Sequence, residues 1–168
     1  MYEKSIEILN RAVADELSAV HQYMYFHFHC DDQGLDILAN LFRRTAIEEM
    51  MHIERLAERI LFLKGEVELK PSASVVKIHD VKEMLAKAKA MEAQSIADYN
   101  RWATEVGPDS MTRKLLEGLV TDEERHYSQY DIETENIVKY GASYLAQQAM
   151  ERSRNVATQP PAGGEAAA

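Results

Sequence analysis

Two short stretches repeat one spacing of chemically active side chains: EEMMH at residues 48–52 and DEERH at residues 122–126. In each, a glutamate precedes a histidine by three residues, Glu49 with His52 and Glu123 with His126. On a helix that spacing puts both side chains on one face. Two further glutamates, Glu16 and Glu92, stand alone inside apolar-periodic segments of their own. An ionised carboxylate in core register costs several kcal/mol unless it is paired, and four that converge also repel one another. Two imidazoles do not neutralise them, whereas two divalent cations do. Oxygen donors combined with imidazole favour iron, with manganese or zinc as other occupants.

The elements that must position these groups are helices. Gly and Pro are scarce before residue 158 and helix formers dominate, which favours an all-α fold. A first segment runs from about residue 4 to Asp31 and stops at Gly34. A second runs from about Leu35 to Leu63, before Lys64 and Gly65. The stretch EVELKPSASVVKIHD is non-periodic, and Pro71, the serines and Val75-Val76 mark an extended connection. Asp80 caps a third segment, with Glu83 as its partner, and that segment ends near Val106 at GPDS. Asp109 or Ser110 caps a fourth, which reaches Tyr140 before Gly141. A short fifth, ASYLAQQAMERS, follows.

Connection lengths give the topology. The first and third links are short, so each joins an antiparallel pair. The link between the second and third helices is long. A helix of about 29 residues is roughly 43 Å long, and about 15 extended residues at roughly 3.3 Å each can span it. The expected fold is an antiparallel four-helix bundle with one long crossover between helices two and three, plus a short C-terminal fifth helix. Residues 1–152 form the domain. Residues 153–168, ending in NVATQPPAGGEAAA, form a low-complexity tail expected to be disordered.

Alternating steps of four and three define the inward stripes. They are Leu9, Val13, Glu16, Val20, Tyr23 and His27; then Leu38, Phe42, Thr45, Glu49, His52, Leu56 and Leu63. The third segment gives Val81, Leu85, Ala88, Glu92, Ser95, Tyr99, Trp102 and Val106, and the fourth Leu116, Leu119, Glu123, His126, Tyr130, Glu133 and Ile137. Each stripe carries a central carboxylate. A single E-x-x-H is weak evidence, because glutamate–histidine pairs are common on solvated faces. Two copies on alternate helices, with lone core-register glutamates on the other two, form the donor set of di-iron carboxylate bundles.

Composition removes other classes. The formal net charge is −9, and with no basic cluster the chain is not expected to bind nucleic acid or an anionic membrane surface. No run of about 18 apolar residues exists, so no transmembrane helix is expected. The single cysteine, Cys30, excludes an intrachain disulfide framework and fits a reducing cytosol; as a lone thiol on a helix it reads as a small buried apolar residue. The N-terminus MYEKSIEIL is acidic and amphipathic, unlike a signal peptide. A cytoplasmic protein is expected.

ADELSAVHQY with its E-x6-Y, EEMMH, AMEAQ, and DEERH followed by the fifth segment resemble the ferritin superfamily, and most closely its bacterioferritin family. The resemblance covers the chain to about residue 152. It implies a ferroxidase and iron store that oxidises Fe(II) with O2 or H2O2 at a di-iron centre and deposits ferric mineral inside a hollow shell. Glu16 and His52 would bind one iron, Glu92 and His126 the other, and Glu49 and Glu123 would bridge them. Tyr23, seven residues after Glu16, matches a tyrosine held beside the centre, to bond a ligand carboxylate or supply an electron; it also suits a core aromatic. Met50 would be the axial ligand of a haem (b-type or a related iron porphyrin) shared between two subunits; the residue alone reads equally as a flexible apolar side chain in a dimer contact. The resemblance further implies a homo-oligomer of 24 subunits built from two-fold dimers, and a ferredoxin-type reductant for iron release.

The chain departs from that family one turn before Glu49. Relatives often have acidic or histidine side chains there, whereas this sequence reads RRTAIE, with Arg43, Arg44 and Thr45. Other classes fit less well. A 12-subunit Dps-like mini-ferritin protecting against peroxide would lack the fifth helix and tend to carry a cysteine pair. A rubrerythrin-like peroxidase would need a C-x-x-C module. A metal-free helical interaction module would need the four central carboxylates exposed.

Overall fold

The computed structural model describes residues 2–159. Its elements are α1 (Glu3–Asp32), α2 (Asp36–Phe62), α3 (Val81–Glu105), α4 (Ser110–Tyr140) and α5 (Ala142–Thr158), with no strand among the described residues. The all-α bundle with one long crossover is borne out. α1 packs along α2 and α3 along α4, each pair joined by a short turn, and α5 docks on the α2 and α4 ends. α5 continues to Thr158, beyond residue 152, where the ordered domain was expected to end; ERSRNVAT supplies no breaker before Pro160. The rest of the expected tail, residues 160–168, lies outside the described residues.

The helix ends follow local chemistry. Gly34 (φ 75°) closes α1: Leu35 N donates to Cys30 O at 2.9 Å and Gly34 N to Asp31 O at 3.0 Å. These are the two bonds of a Schellman motif. At the end of α2 the left-handed position is taken by Lys64 (φ 65°), not by Gly65. Gly65 is required for proximity instead, since a Cβ there would lie 2.7 Å from Ile6 Cγ2. Asp80 caps α3 through Glu83 N at 3.0 Å, and Asp109 caps α4 through Thr112 N at 3.2 Å. Arg59 Nη2 also reaches Asp109 Oδ1 at 2.6 Å, tying the end of α2 to the start of α4.

The crossover lies along α1. Asn10 donates to Glu66 O and accepts from Glu68 N, both at 2.9 Å. Twelve residues on, buried Gln22 donates to Val76 O at 2.9 Å and accepts from Val76 N at 2.8 Å. Two side-chain amides thus satisfy backbone groups that an extended segment would otherwise leave to water.

Two apolar clusters fill the bundle. One contains Tyr23, Phe26, Leu38, Phe42, Leu85 and Tyr130; the other contains Leu9, Val13, Leu56, Tyr99, Trp102 and Leu116. Most stripe positions are buried, but Val20, His27, Leu63, Ser95 and Glu133 are only half-buried. Ile8, Ala12, Ala19 and Phe26 take the buried places on α1 beside the stripe. A core face is wider than one file of residues, and a strict four-three alternation drifts round a straight helix by about 20° per heptad. Cys30 is buried as expected, with its thiol pushed up to about 12 by burial and directed at Met84 Sδ, 3.6 Å away.

Candidate metal centre

The six donors expected from spacing come together between the two apolar clusters. Glu16, Glu49, His52, Glu92, Glu123 and His126 are each at most 3% exposed. They form two groups of four, Glu16–Glu49–His52–Glu123 and Glu49–Glu92–Glu123–His126, whose donor atoms lie within 4.8 Å of one another. Glu49 and Glu123 belong to both groups. His52 Nδ1 lies 2.8 Å from Glu49, 3.1 Å from Glu123 and 3.4 Å from Glu16. His126 Nδ1 lies 3.1 Å from Glu49, 3.6 Å from Glu123 and 3.7 Å from Glu92.

The donor set fits two dications on one observation. Both oxygens of Glu49, one oxygen each of Glu92 and Glu123, and both histidine Nδ1 atoms are buried without a hydrogen-bond partner. Buried polar atoms are nearly always satisfied, and these six, though not the only unpartnered ones (Trp102, Tyr130 and Gln148 also carry some), all belong to the same two converging groups. Burial lifts Glu16 and Glu92 well above the usual carboxylate range, reinforced for Glu16 by the charges of Glu49 and Glu123. Burial opposes a charge on His52, yet its contacts with Glu123, Glu16 and Glu49 outweigh this and raise the imidazole to about 12. His126 is raised likewise. Glu123 is held below its usual range: burial works against its charge, but the two imidazoles prevail.

Four of the six donors, the two histidines, Glu16 and Glu92, are held from behind. His52 Nε2 meets Asp122 Oδ2 at 3.2 Å, and His126 Nε2 meets Glu48 Oε2 at 2.7 Å. Each imidazole thus shows its Nε2–H to a carboxylate and keeps Nδ1 for the centre, the usual support of a metal-binding histidine. Tyr23 donates to Glu92 and Tyr99 donates to Glu16, both through short hydrogen bonds. Tyr23 thus bonds a carboxylate of the cluster and also packs as a core aromatic, its ring centroid 5.6 Å from that of Tyr130. The arrangement has an approximate two-fold pattern in which α1 corresponds to α3 and α2 to α4.

Sequence reasoning missed Tyr99, Glu48 and Asp122 as supporting residues. Tyr99 follows Glu92 by seven residues, as Tyr23 follows Glu16, and an acid stands four residues before each histidine. Both signals were present. Met50 points away from the centre on α2 and is 56% exposed, with Ile47, one turn earlier, also exposed. Arg43 and Arg44 are exposed, while Thr45 is buried and donates to Leu41 O at 3.0 Å.

A fold of this topology with this donor set defines the ferritin-like class, and residues 6–137 match the family model described as a ferritin-like domain. The bacterioferritin of Desulfovibrio desulfuricans is 36% identical over 146 residues, 85% of this chain and 81% of that protein. The bacterioferritin of Streptomyces coelicolor is 30% identical over 162 residues, covering 95% and 93%. The crystal structure of the D. desulfuricans protein, described as showing its diiron site in different catalytic states, superposes with a TM-score of 0.83 at 34% identity, covering 98% of this chain and 92% of that one. The chain belongs to the bacterioferritin family.

Proposed function

We propose that the protein stores and detoxifies iron as a ferroxidase, with Fe(II) as substrate and O2 or H2O2 as oxidant. The observation that carries this reading is the set of buried, partnerless donor atoms shared between two overlapping groups. In it, Glu16 and His52 hold one iron, Glu92 and His126 the other, and Glu49 and Glu123 bridge. When bound, the iron pair supplies two one-electron oxidation steps at a fixed separation.

The chain's own residues supply orientation and charge balance. Asp122 and Glu48 fix the imidazole tautomers, while Tyr99 and Tyr23 pin the terminal carboxylates Glu16 and Glu92. The two apolar clusters on either side keep bulk water from the donors. A net charge of −9 draws Fe(II) towards the subunit. Tyr23, buried and joined to a ligand carboxylate, is placed to supply an electron.

The same reading extends to assembly. Two-fold dimers build a 24-subunit shell around the mineral, and α5 lines contacts between subunits. Met50 fits a haem shared across the dimer, since its thioether is exposed on α2 and Ile47 adds an apolar neighbour along that face; bound haem would supply an electron route. A ferredoxin-type reductant would drive release. No helix among the described residues is long and apolar enough to cross a membrane, which suits the proposed cytoplasmic location.

One preparation tests this reading. Shell mass, iron per chain and the visible spectrum should give 24 subunits, two tightly bound irons per chain before mineralisation, and a haem band. A 12-subunit mass would replace the reading with that of a peroxide-protecting mini-ferritin. A preparation that binds no metal would overturn the centre itself.

A further inference from the structure

The two carboxylates that orient the histidines share one counter-charge. Arg125 Nη2 lies 2.7 Å from Glu48 Oε2 and 3.3 Å from Asp122 Oδ1. The Glu48 oxygen is the one that receives His126 Nε2 at 2.7 Å. The other oxygen of Asp122 meets His52 Nε2 at 3.2 Å and Arg55 Nη1 at 3.4 Å. One guanidinium nitrogen therefore stands at the junction of both histidine supports. Glu48 comes from α2 and Asp122 from α4, so the junction also spans the seam between those helices.

We infer that Arg125 is a positioning residue that latches both histidines of the centre and sets how long the centre keeps its metal ions. This rests on the di-metal reading above. Without Arg125, two carboxylates within reach of one atom face each other with no shared cation, and like charges so placed repel. Among the described residues, Glu48 has no ion pair besides those with Arg125 and His126 itself, so His126 loses its stop. Asp122 retains Arg55, so His52 is released less. The latch is therefore unequal between the two ions. It lies at the surface, with the Arg125 side chain 44% exposed, so replacing it leaves the apolar core untouched. Supporting residues of this kind typically change metal affinity by about 10–100-fold.

The test uses the assembled full-length protein loaded with Co(II), whose visible absorption reports ligand geometry, and follows extraction by excess chelator. Wild type should bind two Co(II) per chain and release them slowly. Arg125→Ala should accelerate release about tenfold and alter the Co(II) spectrum. Arg125→Lys should fall between, since it keeps the charge but its shorter, flexible and strongly hydrated ammonium is not held at the point where Nη2 meets both carboxylates. Arg55→Ala should accelerate only one of the two release phases. Salt should hasten release from wild type and leave Arg125→Ala little changed, because an exposed ion pair is screened. A merely structural residue would not produce this salt dependence. Wild-type release and spectrum in both Arg125 variants would overturn the latch alone. Failure of wild type to take two Co(II) would overturn the centre and the latch together.

Discussion

Tyr99 on α3 donates a hydrogen bond to Glu16 on α1, and both side chains are buried. The reciprocal contact runs from Tyr23 on α1 to Glu92 on α3. Each helix of this pair supplies one carboxylate of the cluster and the hydroxyl that steadies the other.

Tyr99→Phe should therefore weaken one metal position and spare its neighbour. The loss expected is about tenfold in affinity at the ion held by Glu16 and His52. Tyr23→Phe should do the same at the ion held by Glu92 and His126. Titration calorimetry with Co(II) separates the two, and equal weakening of both ions by either variant would contradict the cross-pairing.

Glu49 contributes to both groups; neither of its oxygens has a hydrogen-bond partner, although each lies within ion-pair distance of one histidine Nδ1. Glu49→Gln should slow Fe(II) oxidation by at least about 100-fold, and it should also remove a repelling charge from the metal-free subunit. The stabilisation gained on adding Co(II), read as the rise in unfolding temperature over the chelated protein, should shrink. A variant that oxidises Fe(II) at the wild-type rate would refute the bridging role.

Acid should act oppositely on the metal-free and metal-loaded protein. His52, raised from 6.5 to about 12, and Glu16 and Glu92, raised well above 4.5, all bind protons more tightly folded than unfolded. Their contribution is fully present below the unfolded values and fades as pH rises through the folded ones. Metal-free subunits should lose this stability on going from acid towards alkaline pH. Metal must displace those protons, so metal affinity should rise over the same interval. A pH-stat should record release of more than about two protons as each pair of Co(II) ions binds near neutrality, drawn from His52 and His126 together with Glu16 and Glu92.

Asp109 caps α4 and pairs with Arg59. Asp109→Ala should cost about 3 kcal/mol, combining a lost cap with a broken, largely buried ion pair. Burial opposes the charge on Asp109, but its bonds to Thr112, Ser5 and Arg59 hold it below 3.8. The contribution is therefore present above that value and lost as pH falls through the lower folded one. Denaturant unfolding at neutral and acid pH measures both effects.

The four helices and six donors were legible because helix period and E-x-x-H spacing are local properties. What was hidden depends on how the helices slide against one another. Which carboxylate meets the Tyr99 hydroxyl, or whether Glu48 lies idle or supports His126, follows from axial register, which no single stripe contains. The stripe also misplaced His27 and Glu133. His27 turns to Ala39 O at 2.8 Å, and Glu133 accepts from Tyr144 of α5 at 2.7 Å; both contacts lie beside the bundle axis. Gly65 looked like a helix stop, yet Lys64 makes the left-handed turn and Gly65 admits Ile6 of a distant segment.

Neither helical hairpin contains a complete ion position. The first group draws on α1, α2 and α4, the second on α2, α3 and α4, and each histidine is oriented by an acid from the opposite hairpin. The α1–α2 half by itself holds three donors of the first group and lacks both Glu123 and the Asp122 that supports His52. Both complete donor sets, with their supporting acids, therefore exist only in a subunit whose two hairpins are joined in register.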